Sequence, residues 1–84
     1  MDRRALLARL ESAPHNVRFA DMVALMEALG FRCLRVRGSH HIFKHPDVVE
    51  LVSLQSVGGD AKPYQIRQVL KLAKAYHLMP EEDQ

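Results

Sequence analysis

His40, His41 and His45 fall within the six residues "HHIFKH", directly after the pair Gly38-Ser39. They are three of only five histidines in 84 residues, so imidazole is concentrated at one place in the chain. Three roles suit such a cluster. The first is metal binding. His41 and His45 are evenly spaced, so in a strand they point to the same face. Two ligands from one strand need a third from elsewhere. Asp47 is close in sequence but lies past Pro46, and no ordered set of Cys and His ligands accompanies it, so no metal is expected. The second role is general acid–base chemistry, because histidine ordinarily titrates near pH ~6.5 and exchanges protons at neutrality. RNA offers a reaction that needs no metal. A base removes the 2′-hydroxyl proton, and that oxygen attacks the adjacent phosphorus. Cations then stabilise the pentavalent phosphorane. Arg35, Arg37 and Lys44 flank the histidines and suit that task. The third role is the ordinary one, half-exposed strand histidines with no special task.

A second basic surface lies near the end of the chain. Arg67, Lys71 and Lys74 follow i, i+4, i+7 spacing and share one helical stripe. Lys62 precedes the start of that helix, where free N–H groups favour phosphate. Together they suit a nucleic-acid backbone, and the alternative is a solvated helix face. The formal charge is only +2, but Glu81, Glu82 and Asp83 account for three of ten acidic residues. Without that acidic tail, seven acids face twelve bases, a balance of +5 that suits a polyanionic partner.

The elements that must position these groups follow from periodicity. Residues 3–11 suit a helix with Leu6 and Leu10 on one face, ended by Pro14. Met22, Leu25, Met26 and Leu29 form an apolar stripe over residues 20–29, with Gly30 just past the end. A hydroxyl residue would cap this helix better than Ala20. "FRCLRVR" then alternates as a strand, with Cys33 expected as a small core residue. Gly38-Ser39 is a two-residue turn, and "HHIFKH" is the returning strand of an antiparallel hairpin. A third strand is expected over 50–55, and "SVGGDAKP" is expected to be loop. The last helix spans about 64–77, with Ile66, Val69, Leu70, Ala73 and Tyr76 inward. The order α-α-β-β-β-α predicts an α+β two-layer sandwich, a three-stranded antiparallel sheet with helices on one face. The α-β-β-β-α part is the order of a double-stranded-RNA-binding fold. One domain is expected: residues 1–15 as an N-terminal extension helix, 16–78 as the core and 79–84 as the tail. No apolar run is long enough to cross a bilayer, and "MDRRALLARLESA" is not a secretion signal, so the cytoplasm is the expected location.

"GSHHIFKHP" followed by "AKPYQIRQVLKLAKAY" resembles the HicA toxins of bacterial toxin–antitoxin pairs, in particular a subgroup with an N-terminal extension. The resemblance spans about residues 16–78. It implies a small fold similar to double-stranded-RNA-binding domains. It also implies a ribosome-independent mRNA interferase that cuts RNA without a metal or cofactor through one sheet histidine. The implied partners are mRNA and a HicB-like antitoxin that covers the active site. The family's histidine falls on His40 if the motif is Gly-x-His, and on His41 if it is Gly-x-x-His. Strand parity alone does not decide, because a one-residue slip reverses every side chain. Ser39, inside the motif, joins the expected RNA-binding set. The rival readings are an RNA-binding module that never cuts, and a protein whose main task is a DNA-repressing complex with an antitoxin.

Overall fold

Leu6 and Leu10, four residues apart, are both buried, and so are Met22, Leu25, Met26 and Leu29. Each set is one stripe of a helix, and the stripes meet in a common core. The computed structural model describes residues 3–78, so the expected acidic tail lies outside the described residues. Its elements are α1 (Arg3–Ser12), α2 (Phe19–Ala28), β1 (Arg32–Arg37), β2 (His40–His45), β3 (Val48–Val57), β4 (Asp60–Ala61) and α3 (Pro63–Ala75). The class is α+β, with an antiparallel sheet in the order β1-β2-β3-β4. Phe43, Val48, Val52 and Leu54 form the sheet's side of the core, facing Ile66, Val69 and Ala73 of α3 as well as α1 and α2.

The sheet has four strands, which corrects the expected three. Gly58 and Gly59 have φ of 59° and 84° and make a tight two-residue turn, not an open loop. The chain therefore returns at once, and Ser56 and Val57 pair with Ala61 and Asp60. The new strand is extended by the segment before α2: Ala61 N–H donates to Val17 O at 2.9 Å, and Phe19 N–H donates to Gly59 O at 2.9 Å. That last bond explains how α2 starts at Phe19, after Arg18 and without a side-chain cap. The turn carbonyl serves one of the N–H groups that the start of a helix leaves without an intrahelical partner.

β1 departs from simple alternation. Its pairing with β2 runs Arg32↔Lys44 and Cys33↔Phe43, then jumps to Arg35↔Ile42, Val36↔His41 and Arg37↔His40. Leu34 is the extra residue of a β-bulge. Cross-strand partners share a face. The bulge therefore puts Arg32 on the same face as Arg35 and Arg37, where alternation had placed it opposite. Cys33 is also corrected: it is exposed, not core. It shares the helix-side face with Phe43, but every residue of this outer strand is exposed.

Candidate active site and nucleic-acid interface

The three clustered histidines go to different environments because they alternate along β2. His41, Phe43 and His45 take the helix side, and His40, Ile42 and Lys44 take the open side. His40 is exposed. His41 is half-buried, with its ring 4.7 Å from that of Phe19 at 53°. His45 is buried, with both ring nitrogens engaged by backbone. Its Nδ1 accepts the Asp47 N–H at 3.0 Å, so its Nε2 carries the proton and donates to Leu29 O at 3.0 Å. Among the described residues, no three His, Cys, Asp or Glu side chains come together to hold a metal ion.

His40 sits at the hairpin mouth, one residue after the Gly38-Ser39 turn. Gly38 has φ of +58° while the φ of Ser39 is negative, the pattern of a type II′ turn with glycine at its first central position. Directly across from His40 are Arg37 on β1 and Gln55 on β3. The next row holds Arg35, Ile42 and Ser53, and the one after that pairs Arg32 with Lys44. Arg32, Arg35, Arg37 and Lys44 are thus four exposed cations on one face with His40. None of the four makes an ion pair among the described residues; the Arg18–Asp60 pair at 3.5 Å lies elsewhere. Sequence alternation missed Arg32, and no local signal marks the bulge that brings it in.

The mouth is tied to α3 by a chain of amides. Gln65 is buried on the inward side of the helix, in phase with Val69. Its Oε1 accepts the Gln55 N–H at 2.8 Å, so it satisfies the open edge of β3 beside His40. The Gln55 Nε2 donates to Ser39 Oγ at 3.3 Å, and Ser56 N–H donates to Ser39 O at 3.0 Å. Ser39 is held in the turn by both bonds. A glutamine in phase with Val69 was the available signal for Gln65; nothing in sequence pointed to its partner.

The basic residues of α3 divide between two grooves. An open groove of about 870 Å³ between β3 and α3 is lined by His40, Ser53, Tyr64, Gln68 and Lys71. A second, of about 700 Å³ between α1 and α3, is lined by Glu11, Arg67, Lys71, Lys74 and His77. Lys71 alone of the stripe reaches both. Arg67 and Lys74 lie on the α1 side, apart from His40. Lys62, just before α3, holds its ammonium 5.7 Å from the centre of the Tyr64 ring. At the other end of α3, the Tyr76 hydroxyl donates to Glu50 Oε1 at 2.8 Å. That hydrogen bond, aided by desolvation and the Glu50 charge, raises the Tyr76 pKa above the usual phenol value, so Tyr76 stays a donor.

A family model described as the HicA toxin of bacterial toxin-antitoxin matches residues 19–75, from the start of α2 to the end of α3. No curated protein matches, and no solved structure does. Helix α1 lies before the matched residues, yet its Leu10 is fully buried in the core.

Proposed function

Because the chain belongs to the HicA toxin family of bacterial toxin–antitoxin systems, with an antitoxin as its partner, we propose that it is an mRNA endoribonuclease whose general base is His40. The observation that carries this reading is the exposed His40 with Arg37 directly across the strand pair and Arg35, Arg32 and Lys44 on the same face. Cross-strand Cβ atoms are typically about 5 Å apart, so an imidazole and a guanidinium there can address the same ribose and phosphate. His40 takes the proton of a 2′-hydroxyl. The freed oxygen attacks the neighbouring phosphorus, and the bond to the 5′-oxygen of the next nucleotide breaks. The products are a 2′,3′-cyclic phosphate and a 5′-hydroxyl end. His41 is turned to the other face against Phe19. The leaving oxygen therefore takes its proton from the His40 imidazolium or from solvent. Arg37 stabilises the phosphorane charge, Arg35 and then the Arg32–Lys44 row, about 13 Å along the strand from His40, extend the grip, and Lys62 and Lys71 hold RNA on the α3 side. Arg67 and Lys74 bind the strand more distantly, by charge. The order α2-β1-β2-β3-α3 supports a likeness to the double-stranded-RNA-binding fold, with β4 as an addition. No helix of the described residues is long and apolar enough to cross a membrane, and an mRNA substrate makes the cytoplasm the site of action.

Single-stranded RNA is expected to be cut in chelator, leaving cyclic phosphate ends. The same sequence with 2′-deoxyribose should be bound and left whole. Cleavage of the deoxy strand would overturn the 2′-hydroxyl mechanism, and RNA left intact by the wild-type protein would favour a binding module that never cuts. The cation row makes a separate prediction. Removing Arg35 and Arg37 together should weaken RNA binding for every sequence. The salt dependence of log K should flatten by about 0.7 for each phosphate of the single strand that the variant no longer neutralises. An unchanged slope would show that the phosphates run elsewhere.

A further inference from the structure

The groove between β3 and α3 begins beside His40 and carries side chains that the cleavage chemistry does not use. Gln55 stands directly across from His40, and its N–H is bonded to Gln65 at 2.8 Å. Tyr64 precedes Gln65, so the start of α3 is fixed next to the hairpin mouth. From there Tyr64, Gln68 and Lys71 follow at i, i+4 and i+7, a single helical stripe, and all three line the groove. Moving away from His40, the stripe offers an aromatic ring, an amide and an ammonium group. Tyr64 is 57% exposed although it is a large aromatic residue on a helix that buries its neighbours. Its hydroxyl accepts a bond from Gln65 Nε2 at 3.5 Å, and the Lys62 ammonium lies 5.7 Å from the ring centre. The ring is thus positioned but left largely uncovered. At the far end, twelve residues or about 18 Å along the helix, Tyr76 and Glu50 close the groove. A carboxylate at that end repels anions, so the positive charge of the groove lies on the side nearer His40, at Lys71.

We propose that this groove is a nucleobase subsite: the base next to the scissile phosphate stacks on Tyr64, Gln68 reads its edge, and Lys71 takes the following phosphate. The proposal rests on the ribonuclease reading for its link to cleavage, but the binding it predicts can be read without cleavage. Stacking on an aromatic ring accepts any base, because every base has a π-face. An amide that both donates and accepts can discriminate among base edges. A path with both is single-stranded, since a duplex keeps its bases stacked on each other. Continuity with His40 and the Lys71 charge favour RNA over a protein segment as the occupant.

The chain has no tryptophan and two tyrosines, so tyrosine emission reports on the groove. Tyr76→Phe leaves Tyr64 as the only fluorophore. The probe is a panel of short single-stranded 2′-fluoro RNAs, which lack the attacking hydroxyl. They are expected to quench Tyr64 emission on binding. Tyr64→Ala should weaken binding about tenfold to a hundredfold, and Tyr64→Phe should retain it. Gln68→Ala should narrow the differences among oligonucleotides that vary at one base, and should flatten the base preference at one position beside the cut. Failure to quench would overturn the subsite, as would Tyr64→Ala binding as tightly as wild type. RNA cleavage with an unaltered site profile in Tyr64→Ala sinks the subsite while the ribonuclease reading stands. Quenching without any cleavage keeps the subsite and removes the ribonuclease. Emission that responds to the antitoxin and to no oligonucleotide assigns the groove to the protein partner and overturns the proposal.

Discussion

His40→Ala is expected to lower RNA cleavage by about 10²- to 10⁴-fold, the usual range for losing a positioned general base. The fold should not be the cause. His40 is exposed, and among the described residues no hydrogen bond or ring contact of its side chain ties it to the core. Surface substitutions of this kind shift stability by about 0.5 kcal/mol or less. An unchanged denaturant midpoint alongside abolished cleavage therefore assigns the effect to chemistry. Added imidazole should restore part of the rate, since the deleted side chain leaves room beside Arg37. His41→Ala should behave in the opposite way. It removes a ring that packs on Phe19 at 4.7 Å, so it lowers stability and leaves cleavage per folded molecule close to wild type. Full activity in His40→Ala removes the proposed base outright. Full activity in both variants ends the proposal that either histidine is catalytic.

The second large effect is on folding and centres on His45. Its ring is buried and bonded at both nitrogens, and it stands edge-on to Phe31 at 5.0 Å and 65°. His45→Ala strands the Asp47 N–H and the Leu29 carbonyl and opens a hole the size of a ring. A cost of about 2–4 kcal/mol is expected, a large part of what holds a small domain together. Gly30 is coupled to it. After α2 the chain closes a Schellman motif, with Phe31 N–H donating to Met26 O at 2.9 Å and Gly30 N–H to Glu27 O at 3.0 Å. That turn holds Gly30 at φ +100°, and a Cβ there would stand 2.8 Å from the His45 Nε2. Gly30→Ala therefore combines backbone strain with a steric clash, and should cost more than about 1 kcal/mol. Urea denaturation of the two single variants and the double variant tests the coupling. Without the imidazole, Gly30→Ala should cost less than it does in wild type, by the clash that has been removed. Strict additivity would show that Gly30 and His45 do not press on each other. Remaining folded His45→Ala protein should still cut RNA, because His45 faces away from the open side.

Much of this architecture was legible from residue order. The apolar stripes of α1, α2 and α3 lie within their own segments, and Leu6, Leu10, Met22, Leu25, Met26, Leu29, Ile66, Val69 and Ala73 are all buried as their spacing requires. The same holds for the hairpin, where Gly38-Ser39 stands between two runs rich in strand formers. Short elements were not legible in this way. β4 has only two residues, too few to show a period, and it exists because the Gly58-Gly59 turn folds it back onto Ser56 and Val57 while the segment at residues 17–19 bonds along its other side. Cys33 shows the limit of pattern from the other side: it shares the helix-side face of Phe43, but on the outermost strand it stays exposed.

The site divides along the same line. Residue order alone determined which groups are present at the hairpin, a histidine pair after Gly-Ser with basic residues on both strands, and so which chemistry is available. Tertiary structure decided which histidine looks outward, because the face of a strand depends on what its partner strands and helices cover, and a shift of one position inverts it. It also decided that the bulge at Leu34 gathers Arg32 with Arg35 and Arg37, that Gln65 ties α3 to the strand beside His40, and that only Lys71 of the helix stripe shares the groove with that histidine. Helical and strand periods are set by bonds within a few residues of each other. Faces, edges and grooves are set by pairings across tens of residues, and those are settled only when the chain has closed its core.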